Sequence, residues 1–479
     1  MFKNSTNSLQ EYGSKLRSLA EISSQQKVQW NHNSRSLLAP ILLTGLILVV
    51  LPCYASLSTS TAKTIQGREP ELSFDNGNSM ASNLDYLLSF EMPDGAGDIT
   101  VISPTTNEIN VTSFYTFEQF VTKVSADGIG HELSPTYYYD TDGDTPHLTT
   151  PVAGSLTATW SYVAADGTTK IITADELSEP FNGCNAPYTL TITANDLKAL
   201  SAYGDPMSKA YDNQSTSYTV NVTDYRICYA RPAEMTVISN CSVAGNCTYE
   251  SGYNPSVFTP GAGFSPNSAI TFPTTGFDQA EFRLVMSSNQ SDYIYTSSNP
   301  AIVSIDGNGD VTLHSTSKPV LPLNITLTAT PNDTTYPAQT YSFSIVKWAR
   351  ALGESTYANS ILSTATAFPA ASMCKDGTTT SVTTAEEAET YFFARSDFTN
   401  TPKVMSNGLN GYFTRDIDST FMGEWGNLYG GYPAATGFKM RNVAWASESR
   451  DDGQQFGVNI ARGQVGVPPV NGLFTVVCR

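Results

Sequence analysis

The sequence predicts a mainly β chain: tandem β-sandwich domains followed by a small α+β module. Two observations carry this. Short runs alternate Thr or Ser with Val, Ile, Leu or Tyr, as in Asp98–Ser103, Glu108–Ser113, Ser155–Val163, Tyr188–Thr193 and Ser217–Val222, which is the signature of half-buried strands. Past residue 352 the character changes to a helix signal set among aromatic, Gly-rich loops. A length of 479 residues suits two to four domains, each with its own core.

Residues 85–235 read as one β-sandwich, with Trp160 as a core residue. Residues 56–84 are polar and turn-rich, a linker. Residues 236–280 hold Cys241, Cys247 and a Pro/Gly-rich run, which predicts a linker or a peripheral extension. In 281–350, two strands flank Asp306-Gly-Asn-Gly309, whose Asp-Gly and Asn-Gly steps suit a tight hairpin. In 352–479, Thr384-Ala-Glu-Glu387 is a capping box that opens a helix through about Arg395, with Ala388, Tyr391 and Phe392 on its apolar face. Three strands, Asn442–Ser447, Gln455–Ile460 and Leu473–Cys478, complete the module.

Leu37 to Ala55 is the one long apolar stretch, preceded by basic residues and followed by small ones. It reads as an export signal with a long leading region, or as a signal anchor if uncleaved. Either way the chain after Ser56 is expected outside the cytoplasm, and membrane contact is expected only through 37–55 and only if that segment is retained. Setting aside Cys53, six cysteines follow: Cys184, Cys228, Cys241, Cys247, Cys374 and Cys478. An even number in an exported chain points to disulfides. Six cysteines allow fifteen pairings, and we expect Cys184–Cys228, Cys241–Cys247 and Cys374–Cys478, each inside one module.

The segment Tyr295–Leu313, followed by Ile325-Thr-Leu-Thr-Ala329, resembles the bacterial Ig-like group 2 domain. That resemblance implies an Ig-like spacer with no chemistry of its own. Trp445-Ala-Ser-Glu448, Phe456-Gly-Val458, Gly463 and Val476-Val-Cys-Arg479 resemble the C-type-lectin-like adhesion domains of the enterobacterial intimin and invasin adhesins. The block Tyr188–Ala230, with its two cysteines, is similar to repeats of the same adhesins. The resemblance implies an exported adhesin, at the cell surface, in the outer membrane or secreted. Its Ig-like stalk would present a C-terminal C-type-lectin-like tip to a protein or glycan receptor on another cell. Intimin and invasin carry a membrane β-barrel ahead of the stalk; no segment here is long enough to supply one, which leaves the anchoring device open.

Charge and aromatics place the candidate binding residues. Residues 56–351 hold 12 basic and 30 acidic residues, whereas 352–479 hold 9 and 12. An acidic stalk repels nucleic acid and anionic lipid, and the tip is near balance. Trp425, Tyr429, Tyr432, Lys439, Arg441 and Arg450 are of the types that dominate binding surfaces. They are the candidate contacts, with Trp425, like Trp445, also open to a core role, and Tyr429, Tyr432 and Arg450 expected in exposed loops.

Catalysis is not expected, nor is a cofactor or metal. The tip has no His, and His131-Glu132 lacks the second His of HExxH. Asp140, Asp142 and Asp144 resemble the start of a calcium loop, but position 151 is Pro where an EF-hand needs Glu. The sugar-binding triplets of calcium-dependent lectins are absent, which favours a protein-binding surface. Two alternatives stay open. One is a carbohydrate-active enzyme using a carboxylate pair among Asp416, Asp418 and Glu424; the other is a structural subunit of a surface assembly.

Overall fold

The computed structural model describes residues 67–242, 245–375, 381–402 and 411–479. The expected export segment 1–55, with Leu37–Ala55, and the linker residues 56–66 lie outside the described residues.

The first sandwich builds on a seven-stranded sheet in the order β3 (Glu108–Thr112), β8 (Gln214–Thr223), β7 (Tyr188–Leu200), β6 (Val152–Val163), β5 (His131–Glu132). Two short strands, Thr169–Ile171 and Ser208–Ala210, join β6 and β7. A three-stranded sheet, β2 (Ile99–Ile102), β1 (Phe90–Pro93), β4 (Val121–Thr122), forms the second layer. Alternation explains the packing. In β6 and β7, Leu156, Ala158, Trp160, Leu190 and Ile192 face a buried core, while the intervening Thr and Ser are part-exposed. Trp160 is buried as expected, edge-on to Phe117, Phe120 and Phe181. The described part of the 56–84 segment packs on this core through Leu72 and Leu84 rather than running free as a linker.

The second sandwich has a six-stranded sheet and a three-stranded sheet. The first runs β10 (Phe258–Thr259), β11 (Gly263–Phe264), β9 (Ile227–Pro232), β13 (Glu281–Met286), β16 (Asp310–Leu313), β15 (Val303–Ile305). The second runs β14 (Tyr293–Ser297), β17 (Leu323–Pro331), β18 (Gln339–Ile345). The Asp306–Gly309 turn closes the hairpin of β15 and β16: Asp306 N–H donates to the Asp310 carbonyl at 3.0 Å, and Gly309 has φ of 76°. Segment 236–280, expected as a linker or peripheral extension, supplies Phe258, Phe264, Phe272 and Phe277 to the core.

The terminal module is one mixed sheet flanked by short helices. The sheet runs β12 (Thr275–Phe277), β19 (Lys347–Ser355), β23 (Phe474–Cys478), β20 (Val443–Ser449), β21 (Gln455–Asn459), β22 (Val465–Gly466). Its first strand therefore comes from the segment before β13, paired in parallel with β19. The helices that matter below are α1 (Pro369–Cys374), α2 (Ala385–Glu389), α3 (Arg395–Phe398), α4 (Phe421–Trp425) and α5 (Leu428–Gly431). Thr384 caps α2, its hydroxyl accepting from Glu387 N–H at 3.3 Å. The other half of the expected box does not form, because the Glu387 carboxylate binds Lys375 at 2.7 Å instead. The helix ends at Glu389, short of Arg395: the Thr390 hydroxyl turns back to the Glu387 carbonyl, and Phe392 and Phe393 then dive into the core.

The three expected disulfides are present, and one of them changes the reading of the molecule. Cys241–Cys247 closes a short loop between β9 and β10, and Cys374–Cys478 ties α1 to the last strand. Cys184–Cys228, expected within one module, instead joins the turn before β7 to β9, the first strand of the second sandwich. Sheet pairing decides this: β9 hydrogen-bonds to β13 and belongs to the second sandwich.

Candidate functional site

The site is assembled by loops at one end of the terminal sheet. Thr420 caps α4, its hydroxyl accepting from Gly423 N–H at 3.1 Å, and the whole of α4 is buried. Asn427 then caps α5, accepting from Gly430 N–H at 2.8 Å. The N–H groups of Leu428 and Tyr429 both donate to the Ile460 carbonyl, and Ile460 N–H donates to the Asn442 carbonyl. These bonds place α5, the end of β21 and segment 438–442 side by side. Segment 438–442 is pinned in turn to β19 and β23. Arg441 Nε donates to Glu354 Oε2 at 2.6 Å, its N–H donates to the Thr475 hydroxyl at 3.0 Å, and that hydroxyl donates to the Arg441 carbonyl at 2.7 Å.

On this frame, Tyr429 is 37% exposed and Met440, between exposed Lys439 and Arg441, is 52% exposed. Leu352 and Leu473, each two residues before a pinned partner (Glu354 and Thr475), are 39% and 48% exposed. Exposed apolar side chains near cations are of the kind that bind a partner by contact and desolvation.

The six candidate residues divide into three groups. Tyr429, Lys439 and Arg441 are surface residues of this end. Arg450 also lies outside, but at the opposite end of β20, about 20 Å away at ~3.3 Å per residue; it pairs with Asp452 at 3.3 Å in the β20–β21 hairpin. Trp425 and Tyr432 are corrections: both are buried core. The Trp425 ring meets Phe272 and Phe277 at 4.9 and 5.3 Å, and its Nε1–H donates to the Thr275 carbonyl and hydroxyl. The Tyr432 hydroxyl donates to the Trp425 carbonyl at 2.8 Å. Met440, Leu352, Glu354 and Leu473 were missed by sequence reasoning. The available signal was Met440, an unbranched apolar residue set directly between two cations.

The carboxylates considered for glycoside hydrolysis are committed elsewhere. Glu424 is fully buried, and its oxygens accept from the N–H and the hydroxyl of Thr274 and from Thr275 N–H at 2.8 Å and hydroxyl at 2.7 Å. Burial pushes its carboxyl up to about 7 against the pull of these donors. Asp416 accepts from Asn254 and Ile417 N–H, and burial raises its carboxyl. Asp418 accepts from Thr420 and Asn400. Beside Glu424, the buried Arg415 guanidinium lies over the rings of Phe258 and Phe264 at 4.8 and 5.5 Å and donates to the Glu424 carbonyl at 2.8 Å. Burial lowers it to about 10. At the suggested calcium loop, Asp140 Oδ1 accepts from the N–H groups of Asp142 and Asp144, an ordinary turn arrangement.

Comparison with known proteins gives one family match: residues 255–343 fit the model of invasin, domain 4. No curated protein matches the sequence. Among solved structures, invasin, titled a bacterial integrin-binding protein, is similar at 14% identity with a TM-score of 0.33, covering 81% of this chain. The chain spans 63% of that protein's chain. A C-terminal 282-residue fragment of intimin in complex with the translocated intimin receptor is similar at 14% identity and a TM-score of 0.28, covering 71% of this chain and 91% of that one. An intimin mutant from EHEC O157:H7 follows at 16% identity and a TM-score of 0.25, covering 46% and 92%. Such structural likenesses are too low to bear on function. The matched stretch begins just before β10, inside the segment expected as a linker, and runs into β18; over residues 255–343 the chain is similar to invasin domain 4.

Proposed function

We propose that this chain is an exported adhesin whose terminal module binds a protein receptor on another cell through the surface formed by Tyr429, Lys439, Met440 and Arg441. The observation that carries the reading is the invasin domain 4 match together with its continuity into the terminal module: strand β12, inside the matched stretch, is also the first strand of the terminal sheet. The sugar-binding triplets of calcium-dependent lectins are missing from the sequence, which favours a protein over a glycan as the receptor. Three disulfides agree with an oxidising compartment outside the cytoplasm. In this reading the chain is no enzyme, since the candidate carboxylates serve turns and the core. The division into a 67–223 sandwich, a 224–346 sandwich and a 347–479 tip is part of the same proposal.

The test is binding of the purified chain to cultured cells. K439A/M440A/R441A should lower binding at least tenfold, and R450A should leave it unchanged. Equal binding by both variants contradicts the placement of the surface. Deleting 352–479 is not a clean test, because it strips Phe272 and Phe277 of their packing partners.

A further inference from the structure

Three residues, Asp224 to Arg226, connect the last strand of the first sandwich to β9 of the second. The connection is built as a fixed joint. The Asp224 carboxylate accepts from Gly183 N–H at 3.1 Å and from the Ser113 hydroxyl at 3.3 Å on the first sandwich, and it ion-pairs with Arg226. The Asp224 carbonyl accepts from the hydroxyls of Ser287 and Ser288 on the second, at 2.8 and 2.6 Å. Tyr225 packs against Tyr336 and Tyr293 at 4.4 and 5.6 Å. Two glycines let the backbones close. A Cβ at residue 183 would lie 2.4 Å from Asp224 Cβ, and one at residue 261, in the β10–β11 turn, would lie 2.5 Å from the Ala165 carbonyl oxygen. Two residues beyond the connector's end comes Cys228, bonded back to Cys184 with the two Cα atoms 5.5 Å apart.

We propose that Cys184–Cys228 is a covalent load bypass: tension along the chain crosses from the second sandwich to the first through this disulfide. The chain passes the joint twice, at residue 184 on the first sandwich and at 228 on the second, and the bond makes these one node. Everything between them, which includes β7 and β8, hangs off the loaded path as a closed loop. Those two strands form the middle of the main sheet, where β7 pairs along its length with both β6 and β8. The central strands are therefore spared direct pulling at their C-terminal end, and the three-residue connector carries no load. The arrangement acts on any pull applied between the two ends of the molecule, so it holds whether or not the proposed receptor is bound.

The experiment is single-molecule pulling of the purified chain by handles placed before residue 67 and after residue 479. The bypass fixes the length released when the first sandwich unfolds: residues 67–184, about 120 residues or roughly 400 Å of extended chain. C184A/C228A should release the separation of 44 residues as well, lengthening that step by about 150 Å. A wild-type step that already includes residues 185–227, or equal steps in the two proteins, would overturn the proposal. If the variant does not fold, the wild-type step length alone decides, because the bypassed and unbypassed lengths differ by more than a third.

Discussion

Among the described residues two junctions join neighbouring units, and they are built on opposite principles. Between the two sandwiches, the hydrophobic cores stay separate: one is made entirely of residues 72 to 222, the other begins at Ala230. That joint is held at its rim, by a disulfide, a buried aspartate and a few hydroxyls. Between the second sandwich and the terminal module one core is continuous, and the module adds a smaller cluster of its own around Tyr357, Phe368, Phe392 and Trp445. Phe272, Phe277 and Phe282 pack in one cluster with Trp348, Trp425, Tyr432 and Phe438, and β12, from the stretch before β13, pairs into the terminal sheet. A polar joint is directional and locally breakable, whereas a shared apolar core makes its two halves depend on each other for burial. The sandwich pair should thus behave as two units under stress, and the sandwich–tip pair as one.

Breaking the shared core should have the largest effect. Trp425→Ala removes a fully buried indole and its bonds to Thr275, and should cost about 3–5 kcal/mol. Calorimetry should show the second sandwich and the tip losing stability together, with the first sandwich unmoved. Opening the covalent joint comes next. A closed loop with 44-residue separation is worth up to ~4 kcal/mol by chain entropy, so C184A/C228A should lower the first sandwich's denaturant midpoint and leave the second unit's in place.

A subtler probe is Glu424→Gln. The carboxylate meets donors at both oxygens, so an amide NH₂ would face a donor and cost about 1–3 kcal/mol. The same residue gives the shared core a pH dependence. Its folded pKa of about 7 lies above the ordinary 4.5, so the native state holds the proton more tightly than the unfolded chain. The destabilising effect of ionising it is absent below the ordinary value, grows as pH rises from about 4.5 to about 7, and is complete above. The wild-type melting temperature of this unit, measured relative to Glu424→Gln, should therefore fall between pH 5 and pH 8. A flat difference contradicts the assignment. Smallest of all, K439A/M440A/R441A should change stability by no more than about 0.5 kcal/mol, because the Arg441–Glu354 pair is a surface ion pair.

What the sequence revealed follows the same contrast. Strands with period-two alternation, the Asp306–Gly309 hairpin and the Thr384 cap are local patterns, and each could be read from neighbouring residues. The shared core is not local. Phe258, Phe264, Phe272 and Phe277 sit in a Pro/Gly-rich stretch with no helical or strand period, so the stretch looked like a linker although all four rings are buried. Trp425 and Tyr432 stand among glycines, a setting that suits exposed loops and close-packed turns equally. Only the fold brings Phe277 against both. Of the candidate surface, Tyr429, Lys439 and Arg441 were proposed from residue type and Met440 carried a signal in its two cationic neighbours, whereas Leu352 and Leu473 needed the structure, since nothing in the sequence marks them as exposed. The cysteine partners were anticipated, but the bridging role of Cys228 depended on which sheet β9 joins, a long-range fact.

The central claim is that the second sandwich and the terminal module fold as one unit and that the first sandwich is a separate one. Native-state hydrogen exchange of the full chain in rising denaturant tests it directly. The slowest amides of β13 and β17 and those of β19, β20 and β23 should share one opening free energy and one denaturant slope, with β6 and β7 following a different pair of values. If β20 and β23 open at a free energy well below that of β13 and β17, the terminal module is an independent domain and the account is contradicted.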